Sequence, residues 1–249
     1  MTEIWTLKER AEALARLAER GVELAIVGGG ITGAGVLRDA ALRGLSAALF
    51  EREDFASGTS SHTSKMIHGG LRYIAEGQLG VTRESCVERE LLARLNPNLV
   101  RPLPFLFCSF QQGLKPWEVL AGMTIYSALS GFKSGFSWLS SEEVQALSRD
   151  VRKDLLRRAA LYHDQQVDDA RIVLETVKDA RRAGAEAISH AEVIGFDKEH
   201  GRVTGLRIRD RLSGEELRVR ADRVVNAAGP SADRLRDLEK ASSRNHFDR

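Results

Sequence analysis

Apolar residues recur at helical spacing through residues 5–20, where Leu7, Ala11, Leu14, Ala15, Leu17 and Ala18 stand among charges and Gly21 ends the run. That spacing predicts a helix, a packing extension over residues 1–21. The period then changes. Leu24-Ala25-Ile26-Val27 is a continuous apolar run of strand length, glycines follow it, a helical pattern runs on to Gly44, and Ala47-Ala48-Leu49-Phe50 makes a second strand. Strand, turn, helix and strand in this order predict a βαβ unit.

Beyond it, Ser57-Gly58-Thr59-Ser60-Ser61-His62-Thr63-Ser64 is polar and aperiodic, the pattern of a functional loop inside a compact domain. Residues 76–95 return to helical spacing through Val81, Cys86, Val87, Leu91 and Leu92, and Asn96-Pro97 stops them. Pro102 and Pro104 lead into Phe105-Leu106-Phe107-Cys108-Ser109-Phe110, which has strand composition. Residues 119–132 are apolar and free of charge but fall short of the roughly 20 residues that a bilayer span needs. A buried core helix is the favoured reading there, and a segment that touches a membrane surface stands beside it.

Residues 168–183 are again helical, with Ile172, Val173, Val177 and Ala180 on one face and Gly184 as the stop. Strand patterns at 186–194, 203–208 and 216–219, with turns at Glu199-His200-Gly201 and Ser213-Gly214, predict a small β-meander. A last strand, Arg223-Val224-Val225-Asn226-Ala227-Ala228, closes at Gly229-Pro230. The expected fold class is α/β, a Rossmann-like nucleotide-binding domain in two parts, residues 22–100 and 164–235, with an inserted substrate-side layer at 101–163 and a disordered polar tail at 236–249.

Composition changes little in this picture. A chain of 249 residues with 43% hydrophobic content can bury a sizeable core, and 37 Lys and Arg against 35 Asp and Glu leave no basic field for nucleic acid. Cys86 and Cys108 are the only cysteines and have no paired-ligand spacing, so neither a disulfide framework nor a zinc site is expected and a reducing compartment fits. The first 20 residues lack the apolar core of a signal peptide, which predicts no export and a cytoplasmic protein.

The chemistry concentrates in two places. Gly28-Gly29-Gly30-Ile31-Thr32-Gly33 follows a strand and opens a helix, with glycines at the first, third and sixth places and Glu51 about 20 residues on, at the end of the second strand. In that context Gly28, Gly30 and Gly33 let a pyrophosphate approach the backbone and a helix N-terminus, and Glu51 accepts from ribose hydroxyls. An ordinary α/β turn with a solvated Glu51 is the weaker alternative. The second place is Ser64-Lys65-Met66-Ile67-His68-Gly69-Gly70-Leu71-Arg72-Tyr73. On the residues alone two readings stand even: a backbone that passes a flat ring with cations facing an anion, or a glycine turn with an exposed arginine. His163, Asp164, Asp168 and Asp169 match no ligand spacing, so no metal is expected.

Ile26 through Gly35, the block from Thr59-Ser60-Ser61 to Lys65-Met66-Ile67-His68-Gly69-Gly70-Leu71-Arg72-Tyr73, Val167-Asp168-Asp169-Ala170-Arg171 and Val225-Asn226-Ala227-Ala228-Gly229-Pro230 together resemble the FAD-dependent glycerol-3-phosphate dehydrogenases. The resemblance runs from residue 22 to 235, and the Ser64 to Tyr73 block is its most specific part. It implies FAD as cofactor, sn-glycerol 3-phosphate oxidised to dihydroxyacetone phosphate, a quinone as electron acceptor and a peripheral place on the inner face of a membrane. It implies that Arg72 binds the substrate phosphate, that His68 supplies polarity beside the flavin, that Lys65, Thr59, Ser60, Ser61, Gly69 and Gly70 contact the cofactor, and that Ala228 and Gly229 belong to a second flavin-contacting strand. The Asp-Asp-Ala-Arg block is a helix start with Asp168 at its cap.

The chain departs from the pattern in two respects. Ser231 stands where the family has an aromatic after Pro230, and members of the family are much longer, with a catalytic histidine candidate and further phosphate-binding arginines in the added part. The chain is therefore expected to be an amino-terminal portion. A catalytically silent FAD-binding fragment and an oxygen-using glycerophosphate oxidase are the alternatives to the dehydrogenase; an NAD-binding domain is disfavoured by the Lys65 to Tyr73 block. The oligomeric state is left open.

Overall fold

The computed structural model describes residues 6–152 and 154–244. In chain order the elements are α1 (Leu7–Arg20), β1 (Val22–Val27), α2 (Ile31–Leu42), β2 (Ala47–Phe50), β3 (Met66–Ile67), α3 (Leu71–Ala75), α4 (Leu79–Leu95), β4 (Val100–Phe110), α5 (Pro116–Leu129), β5 (Phe136–Leu139), α6 (Ser141–Leu147), β6 (Leu156–Val167), α7 (Asp169–Arg182), β7 (Glu186–Ile188), β8 (Ala191–Glu199), β9 (Arg202–Asp210), β10 (Glu216–Asn226) and α8 (Ala232–Arg244). They fall into two units, one made of Met1–Thr63 with Asp169–Arg249 and the other of Ser64–Asp168.

The first unit is built on a sheet with strand order β7-β2-β1-β10-β9-β8. β7, β2, β1 and β10 run parallel, and β10-β9-β8 form the antiparallel meander. Parallel neighbours need crossovers, and α2 and α7 supply them. The alternation of β1 shows how the sheet is covered: Ile26 packs with Leu37, Val173 and Val177 under α2 and α7, while Ala25 and Val27 pack with Leu14, Leu17, Ile208 and Leu235 under α1, the meander and α8. α1 is thus part of the core rather than an appendage. Its start is set by a capping box, in which Thr6 Oγ1 accepts from the Glu9 amide at 3.1 Å and the Glu9 carboxylate accepts from the Thr6 amide at 3.0 Å. Trp5, where the sequence pattern began, lies outside the described residues.

Two expectations are corrected here. The strands read at 216–219 and 223–228 are one strand: β10 pairs with β9 over Glu216 to Arg220 and with β1 over Ala221 to Asn226, so it carries the parallel sheet into the meander without a break. The tail expected to be disordered from residue 236 is helical as far as Arg244, because Leu235 and Leu238 face the core three residues apart and Glu239 pairs with Lys198. Residues 245–249 of that call lie outside the described residues.

In the second unit β6 is central. β4 lies along one edge of it, and β3 and β5 share the other. β4 pairs on one side only, so the missing amides of Pro102 and Pro104 are tolerated there. The unit runs from Ser64 to Asp168 and so takes in residues 64–100, which the sequence boundaries at 101 and 163 had given to the nucleotide-binding part. The helix read at 76–95 is α4, which begins at Leu79; Gly77 (φ +74°) separates it from the short α3. α5 buries Val119, Met123 and Tyr126 and leaves Trp117 64% and, just past its end, Phe132 77% exposed, so the core-helix reading holds for one face only. No helix among the described residues is long and apolar enough to cross a membrane.

Candidate functional site

A cleft of ≈ 530 Å³ opens at the carboxyl ends of β1, β2 and β10, where the crossover from β1 leads to one side and β10 flanks the other. Such a switch point in a parallel sheet is where ligands of α/β proteins bind. Gly28, Gly29, Gly30, Glu51, Thr59, Ser60, Ala228 and Gly229 line the cleft. Seven of these were candidates from the sequence; Gly29 was not.

The glycines of the turn do different things. A Cβ on Gly33 would sit 1.9 Å from the Gly28 carbonyl oxygen, so glycine there lets α2 close on its own turn. Gly28 (φ +113°) is held against Ala227, whose carbonyl oxygen a Cβ would approach to 2.5 Å. Gly30 is different: its φ of −79° suits any residue, and a Cβ would meet nothing of the fold nearer than Ser60 Oγ at 3.0 Å. The space kept clear by Gly30 is space in the cleft. Gly30 is also the N-cap of α2 and gives that helix no side-chain cap, so the helix end presents backbone N–H groups and a partial positive charge. Ser60 Oγ accepts from the Ile31 amide at 2.9 Å.

Glu51 closes the cleft at the end of β2. Its carboxylate accepts from the Gly29 amide at 2.6 Å and from the Glu53 amide at 2.9 Å, which fixes both oxygens and leaves lone pairs for a further donor. A Cβ on Gly29 would lie 2.7 Å from Glu51 Cβ, so the middle one of the three consecutive glycines was the signal for this contact. Other walls that the sequence did not point to are Ala191, Glu192 and Val193 of β8 and Arg234, Leu235 and Leu238 of α8. Arg234 donates to the Glu192 carboxylate at 2.7 Å. Ser61 is not in the lining; its hydroxyl lies 3.1 Å from His62 Nδ1. The polar loop is tied down at Thr63, whose hydroxyl donates to Asp169 at the start of α7 over 2.9 Å, and Asp168 stands at the cap position of that helix.

Lys65, His68, Gly69, Gly70 and Arg72 belong to the second unit. Lys65 takes φ +58°, a costly conformation for a side-chain-bearing residue, and its carbonyl accepts from the Val167 amide at 2.9 Å. His68 is exposed. The Arg72 side chain is 83% exposed and only loosely paired with Glu76 at 3.6 Å, so its guanidinium is presented to solvent. The two glycines between them have internal reasons. A Cβ on Gly69 would lie 2.1 Å from the Tyr126 hydroxyl, and Gly70 has φ +76° with the Tyr73 ring beside it. Neither needs a ligand to explain it.

Under that turn lies a buried polar cluster that sequence reasoning missed. Arg89, 1% exposed, donates to Tyr126 Oη at 2.6 Å and to Asp164 and Ser134. Asp164 also accepts from Tyr126 Oη at 2.9 Å and from the Gly69 amide at 3.3 Å. Burial pushes the phenols of Tyr126 and Tyr162 up, Tyr162 to about 12, so Tyr126 stays a donor. Burial likewise raises the Cys86 thiol, which keeps it protonated beside the Gly69 carbonyl. Asp164, one of the four acidic and histidine positions considered for a metal, is thus taken up by Arg89. Arg89 was hidden in the sequence because it lies in α4 among exposed charges.

The sequence profile of the FAD dependent oxidoreductases matches residues 23–246. A glycerol-3-phosphate dehydrogenase of Mycobacterium leprae is 39% identical over 95% of this chain and 41% of that protein, and an alpha-glycerophosphate oxidase of Lactococcus lactis is 34% identical over 93% of this chain and 39% of that protein. The crystal structure of the Bacillus halodurans glycerol-3-phosphate dehydrogenase complexed with FAD superposes with a TM-score of 0.74 at 31% identity, over 93% of this chain and 39% of that one. The chain therefore spans about two-fifths of the length of these relatives.

Proposed function

Because the chain belongs to the FAD dependent oxidoreductases, we propose that it holds FAD in the cleft at the end of β1 and forms part of a flavoenzyme that oxidises sn-glycerol 3-phosphate to dihydroxyacetone phosphate. The observation that carries the cofactor reading is Gly30: its backbone conformation does not require a glycine, and a side chain would fill the cleft at the N-terminus of α2. The relatives' names support the substrate.

In this reading the amides of the glycine turn and the N-terminus of α2 hold the pyrophosphate. Glu51, with both oxygens already oriented by backbone amides, takes a hydrogen bond from the adenosine ribose. Thr59 and Ser60 offer hydroxyl donors, and Ala228 and Gly229 bring backbone close to the cofactor. The exposed guanidinium of Arg72 offers a planar fork to the substrate phosphate, and His68 supplies polarity near the reacting carbon. Flavin, when bound, supplies the acceptor for the hydride that leaves C2 of the alcohol. We take the electron acceptor to be a quinone met at the cytoplasmic face of a membrane, a reading supported by the exposed apolar side chains of Trp117, Leu120, Ile125 and Phe132. The oxidase relative favours oxygen as the alternative acceptor.

The test is made in a protein carrying this sequence. Anaerobic addition of sn-glycerol 3-phosphate is expected to bleach the oxidised flavin band, and Arg72→Ala is expected to leave FAD bound while kcat/KM falls by about two orders of magnitude or more, as loss of a charged, orienting contact implies. If Arg72→Ala loses flavin but keeps its preference for phosphorylated over free glycerol, the arginine belongs to the cofactor. Stoichiometric FAD with no bleaching would support the silent FAD-binding fragment instead. For Glu51→Gln a smaller loss is expected, roughly 1–2 kcal/mol in FAD affinity, the size of a charged hydrogen bond. An unchanged dissociation constant would leave Glu51 with only the backbone to hold.

A further inference from the structure

Arg10 lies in α1, outside every motif of the nucleotide fold, yet it is one of the most completely used side chains of the first unit. Its Nη1 and Nη2 form a fork on the Asp210 carboxylate at 3.0 and 2.7 Å. Nε and Nη2 both donate to the Ser189 carbonyl, at 3.0 and 2.9 Å, and Nη2 reaches the His190 carbonyl at 3.3 Å. Both partners of the ion pair have side chains only 10% exposed. A guanidinium supplies the planar set of N–H donors that these contacts require; an ammonium does not.

What Arg10 grips is the turn between β7 and β8, and that turn is bonded to the acidic wall of the cleft. The Glu51 amide donates to the Ile188 carbonyl at 2.9 Å, the Ala191 amide donates to the Glu51 carbonyl at 2.7 Å, and the His190 amide donates to the Glu53 carbonyl at 2.8 Å. His190 makes these contacts at φ +53°, a conformation that costs energy in a non-glycine residue and persists where its surroundings fix it. Arg211 closes the arrangement: its amide donates to the His190 carbonyl at 2.8 Å and its Nη1 donates to the Arg52 carbonyl at 3.0 Å and to the Glu53 carboxylate. From Glu51 the path ends in the glycine turn, through the Gly29 amide.

We propose that Arg10 is a positioning residue for the adenosine end of the bound dinucleotide, holding the Ser189-His190 turn so that Glu51 and Ala191 to Val193 stand at the spacing that the ribose and base require. The inference rests on the reading of the cleft as the FAD site. α1 then contributes to recognition as well as to the core, without touching the ligand.

The experiment compares the parent protein with Arg10→Ala, Arg10→Lys and, as a control on the same helix, Arg16→Ala, whose exposed side chain pairs with Glu186. FAD, ADP and 2′-deoxy-ADP are titrated against each apoprotein, and melting temperatures are recorded without nucleotide. Both Arg10 variants are expected to weaken FAD and ADP by roughly tenfold, with lysine no better than alanine because it lacks the fork. The preference for ADP over 2′-deoxy-ADP should shrink in the Arg10 variants and persist in Arg16→Ala. A general loss of stability would lower the melting temperature without changing that preference. If the Arg10 variants bind FAD as the parent does, or lose affinity with the preference intact, the inference is overturned. If Arg10→Ala does not fold, Arg10→Lys, which keeps the stem and the charge, decides by the same two readouts. A parent protein that binds neither FAD nor ADP overturns the cofactor reading itself, and this inference with it.

Discussion

Arg89→Ala is expected to destabilise the second unit by about 3–5 kcal/mol, the cost of breaking a buried ion pair by removing one partner. The size follows from what is left behind. Asp164 is 4% exposed, and without the guanidinium its carboxylate keeps only the Tyr126 hydroxyl and the Gly69 amide as donors. Ser134 loses a partner at the same time. Pairing the change with Asp164→Asn removes the stranded charge, so the double variant is expected to be more stable than the sum of the two single losses. Trp117 and Trp138 both lie in this unit, so urea unfolding followed by tryptophan fluorescence reads it. A loss below about 1 kcal/mol, in the range of an exposed pair, would show that the cluster is not what holds the turn. Among the described residues, Arg89 Nε is the buried side-chain atom with no hydrogen-bond partner, which limits what the native cluster itself contributes.

The second large effect separates two glycines of one motif. Gly33→Val is expected to cost more than about 3 kcal/mol, beyond the usual range for overpacking, because the obstacle is the Gly28 carbonyl rather than a side chain that can rotate. Gly30→Val is expected to fold with a loss of about 1 kcal/mol, since its backbone suits any residue and, besides a cap preference, only the Ser60 hydroxyl, a side chain that can rotate, must give way. In the cleft the order reverses: Gly30→Val should weaken FAD by about a hundredfold or more, the equivalent of roughly 2.7 kcal/mol. Thermal melting and flavin titration on the two variants give the comparison. Unchanged FAD affinity in folded Gly30→Val would mean that the pyrophosphate does not lie over this turn.

The sequence patterns found the βαβ unit closely because each part of it is local: an apolar run, a glycine turn and a helix stop are all written within a few residues. β2 has the bounds that its run of Ala47-Ala48-Leu49-Phe50 predicts. The boundary of the inserted unit was less legible. What places residues 64–100 with β4 and β6 is the pairing of Met66 with Gln166 and of Ile67 with Gln165, contacts a hundred residues apart that leave no local trace. The helix at 232–244 was missed because only Leu235 and Leu238 mark its buried face amid charges. Of the polar residues singled out in the sequence, Glu51, Thr59 and Ser60 line the cleft and Ser61 does not, while the walls from β8 and the clamp of Arg10 left no signal. Any residue type can offer a backbone group, and Arg10 is spaced like a solvated helix position until its partners at 189, 190 and 210 are known.

The place of β10 has a consequence for how the protein is made. β1 is synthesised before the inserted unit and β10 after it, so the second edge of β1 is filled only when Ala221 meets Val22 and Asn226 meets Val27. Until then an apolar strand of the central sheet has a row of unpaired backbone groups on that side, the kind of edge that invites pairing with another chain. The unit from Ser64 to Asp168 is continuous in sequence and can collapse while the ribosome is still making the rest. The inserted unit can therefore collapse before β10 is made, and through that interval the open edge of β1 is exposed to pairing with another chain and to chaperones.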